Sequence, residues 1–360
     1  MTHPRRRLIL AAVSVAAFLV WRLCWSPALY RMTILPSLGG LNTHVGRLND
    51  NGQVIGLVYD KGGRTRHFLW DRSDGIQDLG FANAWNVTIN NAGQITGTMR
   101  TDPNSEEAFL WEPGKGRTML GTLGGKRSIA YAMNNRGQII GVSLDANDFL
   151  HAFLWDKQTG MKRLPVPDGI RCIPYSINDA GQILVMAIKQ PLVIPGPWFL
   201  LDPNGSEPVD SLPPDMWLLS MNAGSCIIAI QHSGSPKSYL LFRDEQGVWR
   251  RLFHMHEVFT PQLNDSNQVA YTERVYNRWD SLQSWLPRWL VRPRLPSHQT
   301  RSYLWDPVRG RVPLNRYLKG MERFYVEDLN NNGCIVGSAT TEDGNPCSVL
   351  LEPIPERWGK

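Results

Sequence analysis

Short apolar runs separated by small polar turns fill the chain after its first thirty residues, and the alternation is periodic. An apolar residue followed by Asn recurs seven times: Leu48-Asn49, Ile89-Asn90, Met133-Asn134, Ile177-Asn178, Met221-Asn222, Leu263-Asn264 and Leu329-Asn330. The Asn-to-Asn steps are 41, 44, 44, 44, 42 and 66 residues. Three positions after the Asn stand Gly52, Gly93, Gly137, Gly181 and Gly333, with Asn267 in the sixth unit and Gly224 one place early in the fifth. Asn opening a turn, followed by a residue that tolerates positive φ, is the chemistry of a tight hairpin.

Each turn is followed by an apolar stretch that reads as a strand, such as Gln53-Val54-Ile55-Gly56 or Gln138-Ile139-Ile140-Gly141. The next strand ends on Trp70, Trp111, Trp155 or Trp305 in four units, and a further short one closes each unit, as at Gly116 to Leu120 or Gly310 to Leu314. Four strands per unit, seven times, predict an all-β, seven-bladed β-propeller. A spare strand at about Tyr30 to Leu35 precedes unit one while unit seven stops after its third strand, so the N-terminal strand is expected to close the last blade and leave no open edge. The propeller is expected over 29–354, followed by a tail at 355–360. A closed ring of this kind is expected as a monomer.

The stretches Met119 to Gly125 (MLGTLGG), Ser128 to Gly141 (SIAYAMNNRGQIIG) and His151 to Trp155 (HAFLW) closely resemble the HAF repeat of exported, mostly bacterial proteins. The resemblance covers about residues 30 to 353 and is strongest in units two and three. Units four to six depart from it, losing the Trp at 201 and 242, the turn Gly at 267 and the His-Ala-Phe itself. It implies a propeller-like extracytoplasmic protein and carries no established reaction and no catalytic motif.

The leader, residues 1–28, agrees with export. Arg5, Arg6 and Arg7 precede an uncharged run from Leu8 to Trp21, and Arg22 is followed by Leu23, Cys24 and Trp25. Extended to Trp25 with Arg22 snorkelling, the run gives about 18 residues, enough for a tilted span. The expectation is an N-terminal hydrophobic helix kept as a single-pass signal anchor, with a cytosolic N-terminus and an extracytoplasmic propeller. Cleavage near Ala28, after Ser26-Pro27, is the alternative and would give a secreted or periplasmic protein.

Charge first suggests an acidic partner, because the net charge is +6 and the pI about 9.1. Residues 1–31 contribute +5 and residues 272–301 another +4, leaving the remainder at −3. The basicity is therefore local, and nucleic acid is not an expected partner. Five cysteines are too few and scattered for a disulfide framework, and Cys334 and Cys347, although close, are not expected to bridge.

Candidate chemistry is sparse. His67 and His151 lie on corresponding strands of two units and should radiate apart. His254-Met255-His256-Glu257 sets two imidazoles on one face of a strand but offers no third ligand. The acidic residues leaving the third strands (Asp71, Glu112, Asp156, Asp202, Asp306, Glu352) read as local turn caps. No catalytic residue, metal or cofactor is expected.

One segment escapes the repeat. The 66-residue step places an insertion at about 273–301 in unit six, with Val275, Tyr276, Trp279, Leu282, Trp285, Leu286, Trp289 and Leu290 at helical spacing, interrupted by Pro287. Arg274, Arg278, Arg288, Arg292 and Arg294 fall on the other faces. In a propeller this loop shares a face with the Leu-Gly-Gly loops (Leu38 to Gly40, Leu123 to Gly125), opposite the Asn turns. With only Ser26 to Tyr30 separating the leader from the first strand, the Asn-turn face would look at the membrane and the insertion away from it. The leading expectation is a non-enzymatic, membrane-tethered propeller binding a protein or glycan on this outward face through Arg274, Arg278, Trp279, Trp285, Arg288 and Trp289. A glycan-active hydrolase or lyase using Asp60, Asp145, Asp148 or Glu342 is the alternative.

Overall fold

The computed structural model describes residues 29–39, 43–166, 171–189, 194–202, 216–232, 238–255, 257–276 and 298–355. The leader and its expected helix lie outside them, as do Arg278, Trp279, Trp285, Arg288, Trp289 and residues 356–360. Among the described residues no helix is long and apolar enough to cross a membrane.

The fold is an all-β propeller. After β1 (Tyr30–Leu35), unit one comprises β2 (Thr43–Leu48), β3 (Val54–Tyr59), β4 (Thr65–Asp71) and β5 (Gly75–Ala82). Unit two has β6 (Trp85–Ile89), β7 (Ile95–Asp102), β8 (Ser105–Glu112) and β9 (Gly116–Met119), and unit three β10 (Gly124–Met133), β11 (Ile139–Asp145), β12 (Leu150–Asp156) and β13 (Gly160–Arg163). Unit four has β14 (Arg171–Ile177), β15 (Ile183–Lys189) and β16 (Ile194–Leu201). Unit five has β17 (Met216–Met221), β18 (Ile227–His232), β19 (Ser238–Arg243) and β20 (Trp249–Met255). Unit six has β21 (Glu257–Leu263), β22 (Val269–Tyr276), β23 (His298–Asp306) and β24 (Gly310–Pro313), and unit seven β25 (Met321–Leu329), β26 (Ile335–Thr341) and β27 (Pro346–Pro353).

These strands do not form the expected seven four-stranded sheets. Five sheets of three or four strands stand as discrete blades, and β6 to β13 run together in one eight-stranded sheet. The fusion is a single parallel pair, Arg127 with Glu106, made where β10 begins early and reaches across to β8. Unit four has three strands among the described residues, which do not include 203–215. Strand β1 pairs antiparallel with β27 from Tyr30↔Pro353 to Leu35↔Ser348, so the two ends of the described chain share one sheet.

First strands of successive units neighbour one another, and β25 neighbours β2. Apolar clusters fill the spaces between units: Phe81, Ile95 and Phe109 lie between units one and two, and Leu48, Trp70, Val336 and Leu350 between seven and one. Second strands are therefore buried on both faces, which explains runs such as Ile139-Ile140 in place of an alternating pattern. Gly141 belongs to the same packing. A Cβ there would lie 2.0 Å from the Ile129 carbonyl oxygen and 2.8 Å from the Phe153 ring, so only glycine lets the ring rest on the strand.

Hydrogen bonding closes a circle at the Asn turns. The Nδ2 of each repeat Asn donates to the carbonyl of the next one, from Asn49 round to Asn330 and back to Asn49, over 2.9 to 3.4 Å. In unit three the Asn134 Oδ1 accepts the amides of Arg136 and Gln138, so one side chain caps its own turn and links to the neighbour. Positive φ falls three residues after the Asn in all seven turns, at Gly52, Gly93, Gly137, Gly181, Ser225, Asn267 and Gly333. In unit five the residue at that place is Ser225, with φ 61°, and Gly224 stands one position ahead of it.

Candidate functional site

At the face opposite the Asn turns, a cavity of about 650 Å³ opens between units six and seven. Strand β23 contributes Thr300, Arg301 and Tyr303, and β25 contributes Glu322, Arg323 and Tyr325. Asn315, in the connection between the two units, lies on its wall and accepts the Ser302 amide at 2.9 Å through its side-chain oxygen. Arg323 and Glu322 are 3.6 Å apart and both about half exposed, a spacing and exposure at which an ion pair contributes little. The walls thus present guanidinium groups, amide and hydroxyl groups, and phenol rings.

Unit six departs from the repeat where this cavity forms. The position seven residues after the repeat Asn is Gly in units one, two, three and seven, and Tyr271 in unit six. Tyr271 stacks on Tyr303 at 5.6 Å between centroids, and the Arg311 guanidinium lies 3.7 Å from the Tyr303 centroid while pairing with Glu273 at 2.6 Å. The Tyr271 hydroxyl is buried without a hydrogen-bond partner, and burial pushes its pKa up despite Arg311 nearby. A large ring in place of the glycine rebuilds the wall beside the cavity. In the sequence the signal for this is a Tyr in a glycine slot.

Of the six expected binding residues, Arg274 is described. Its guanidinium lies 5.3 Å from the Phe259 centroid, and Phe259 meets the cavity residue Tyr325 edge to face at 5.8 Å. The hairpin β22–β23 stays in register from Val269↔Trp305 to Tyr276↔His298, so 273–276 and 298–301 belong to paired strands. The segment between them is 277–297, shorter than the expected insertion because pairing continues past the point where the repeat pattern ends.

Two of the carboxylates considered for catalysis, Asp60 and Asp145, are engaged locally. Asp60 accepts the amides of Gly62 at 2.8 Å and Arg64 at 2.9 Å. Asp145 accepts the amides of Asn147 and Phe149, and its Oδ2 lies 2.9 Å from His151 Nε2 and 2.7 Å from Arg163. Burial opposes ionisation there, but those two amides and His151 outweigh it and hold the carboxyl at about 2. Asp148 has φ 60° in the turn between them, and the Glu342 amide donates to the Gly320 carbonyl. Of the acidic strand ends, Asp71, Asp156 and Asp306 behave as caps, accepting the amides of Ser73, of Gln158 and Thr159, and of Val308 and Arg309, whereas Glu112 pairs with Lys157 and Glu352 with Arg72.

His67 is buried with Nδ1 3.1 Å from the Phe81 carbonyl, and burial lowers its pKa. The His254 ring packs edge-on to Tyr239, and His256 lies outside the described residues. No group of three His, Cys, Asp or Glu able to hold a metal occurs among the described residues. Cys172, Cys226, Cys334 and Cys347 are free thiols.

Comparison with known proteins supports the fold. No protein-family model and no curated protein matches the chain. Among solved structures it is similar to the β-propeller domain of the Trilobed protease from Pyrococcus furiosus, with a TM-score of 0.56 and 11% identity over 86% of this chain and 95% of that one. It is also similar to puromycin hydrolase, with a TM-score of 0.52 and 14% identity over 88% of this chain, and spans about half (52%) of that longer protein. At such identities the likeness is one of fold. These neighbours define the chain as a β-propeller. The first is described as having an open velcro topology, whereas here β1 pairs with β27.

Proposed function

We propose that this chain is an exported, membrane-tethered binding propeller that holds a protein or glycan ligand in the cavity between units six and seven. The observation that carries the reading is the cavity itself, whose size lies within the ~300–1,000 Å³ range of small-molecule sites and which presents Arg301, Arg323, Asn315 and Tyr325 on its walls. Residues 277–297, rich in Trp and Arg, lead into β23, one of the strands that line it. Counting the eight-stranded sheet as two blades bridged at one pair, the propeller has seven units, as the seven-membered Asn circle supports. The likeness to HAF repeats fits an extracytoplasmic setting.

Orientation follows from the ends of the chain. The Tyr30 hydroxyl donates to the Gly333 carbonyl at 3.1 Å, so β1 starts at the Asn-turn face. A leader kept as an anchor would hold that face toward the membrane and turn the cavity away from it. Of the carboxylates in the hydrolase alternative, Asp60 and Asp145 are committed to their own turns.

The test compares the wild-type chain, an Arg301→Ala/Arg323→Ala double variant and a chain with 277–297 replaced by a short turn, on an immobilised glycan array and in pull-downs from the envelope fraction. At least one ligand retained by the wild type should be lost from both variants while stability changes by less than about 0.5 kcal/mol for the exposed arginines. Retention by the arginine variant of every ligand that the wild type holds would remove the cavity from the binding reading.

A further inference from the structure

A second cavity, of about 350 Å³, lies on the wall formed by the first strands of units one to four. Its lining includes Arg47 on β2, Asn86 and Thr88 on β6, Tyr131 on β10, and Pro174 and Tyr175 on β14. These strands are neighbours in the inner circle of the propeller, so the cavity faces the central channel.

Every first strand carries a break in its register just ahead of the repeat Asn. The breaks fall between Val45 and Arg47, Trp85 and Thr88, Ala130 and Ala132, Pro174 and Ser176, Leu218 and Ser220, Phe259 and Gln262, and Val326 and Asp328. A bulge re-aims the side chains beside it, and bulges recur next to functional sites. The turn that follows repeats almost unchanged, but the residue three ahead of the Asn does not: it is Gly46, Val87, Tyr131, Tyr175, Leu219, Pro261 and Glu327 in turn. The architecture is constant, and the variation collects where the channel wall is made.

The chemistry of that wall is specific. Tyr175 remains 36% exposed although it meets Trp198 edge-on at 4.9 Å, so part of its ring is available. Burial raises the pKa of both Tyr131 and Tyr175, keeping them neutral hydroxyls. Asn86 is held at φ 54°, a strained conformation for a residue with a side chain, with Nδ2 3.3 Å from the Ala130 carbonyl. Arg47 is already faced by Asp328 at 3.7 Å and Gln262 at 3.4 Å, so its charge is met from β25, the adjoining first strand. A ligand here meets ring faces, hydroxyls, an amide and a charge-compensated guanidinium, a set suited to an uncharged, hydroxyl-rich molecule with an apolar face.

We propose that this channel cavity is a binding site for a neutral saccharide, one or two rings in size, packed against Tyr131 and Tyr175 and hydrogen-bonded by Asn86, Thr88 and Arg47. It is separate from the cavity between units six and seven and does not depend on it.

Saturation-transfer NMR and calorimetry on the full-length chain, with the methyl glycosides of glucose, galactose, mannose and N-acetylglucosamine at millimolar concentration, test the site. At least one glycoside should receive saturation at its ring C–H protons. Tyr175→Ala should weaken its binding about tenfold, as loss of an aromatic anchor does. Thr88→Val, which keeps the strand's shape, should weaken it several-fold, and Arg301→Ala/Arg323→Ala should leave it unchanged. No transfer to any of the four from a chain with native near-ultraviolet circular dichroism would overturn the proposal. So would binding that Thr88→Val and Tyr175→Ala both leave intact, or binding abolished by the arginine double variant, which would assign the sugar to the outer cavity.

Discussion

At the Asn-turn face, the repeat side chains are used up by the protein itself. Asn134 is 4% exposed and makes four hydrogen bonds: Nδ2 to the Asn178 carbonyl and Gln138 Oε1, and Oδ1 from the amides of Arg136 and Gln138. At the opposite face, Arg301, Arg323 and Tyr325 border an open cavity, and the nearest ion pair is weak. One end of the propeller holds the circle together and the other is left free to vary. Substitutions at the two ends should therefore fail in different ways, the first in stability and the second in binding.

The largest effect is expected from Asn134→Ala. It removes the acceptor of the Arg136 and Gln138 amides in a part-buried turn and opens the circle, and a donor left unsatisfied away from water costs ~1–3 kcal/mol. A loss of about 3 kcal/mol in urea-denaturation midpoint analysis is expected, with Asn134→Asp falling between, because it keeps the acceptor and loses the donor. A loss below about 1 kcal/mol would mean that the closed circle is incidental to stability.

An acid titration separates the ends next, because one outward-face turn is held by a carboxylate. The folded-state pKa of Asp145 is depressed from 3.8 to about 2. A depressed carboxyl stabilises the fold fully above its unfolded value, and that contribution is lost as pH falls through 3.8 toward 2. Asp145→Asn should flatten the dependence of melting temperature on pH across that window and lower the melting temperature above it. An unchanged slope would show that the Phe149 and Asn147 amides and His151 do not depress this carboxyl in solution.

The contrast between the ends also explains what could be read from the sequence. Turns are legible because their constraint is local: an Asn whose side chain caps its own loop and a residue at positive φ leave a fixed spacing of three. The sheet count was less legible, because the join between units two and three is one pair, Arg127 with Glu106, made by an early start to β10 that no residue type announces. The bulges were not legible either. Their position is constant but the residues filling them range from Gly46 to Tyr175 and Glu327, since a bulge is a matter of pairing geometry rather than composition. The cavity between units six and seven depends on how two blades meet, which no local spacing encodes, and only Tyr271 in its glycine slot hinted that unit six packs differently.

The smallest effect has the opposite sign. A second set of bonds runs inside the Asn circle, in which the amide one residue after the repeat Asn donates to the side-chain oxygen of the equivalent residue in the next unit. It links Asp50 to Asn91, Asn91 to Asn135, Asn135 to Asp179, Ala223 to Asp265, Asp265 to Asn331, and Asn331 to Asp50, at 2.8 to 2.9 Å. The step from Asp179 to unit five is absent from this series because residue 223 is Ala and offers no side-chain acceptor. Ala223 is exposed, so a longer side chain has room, and its own amide is already bound to Asp265 as the pattern requires. Asn suits the place better than Asp, because the Asp179 carboxylate stands at the adjoining position and a second charge beside it would be opposed. Ala223→Asn should therefore raise stability by about 0.5–1 kcal/mol, the net worth of one hydrogen bond. A neutral or destabilising result in the same urea measurement would mean that the Asp179 amide is already satisfied by water, and that the inner set is a consequence of the Asn circle rather than a second source of closure.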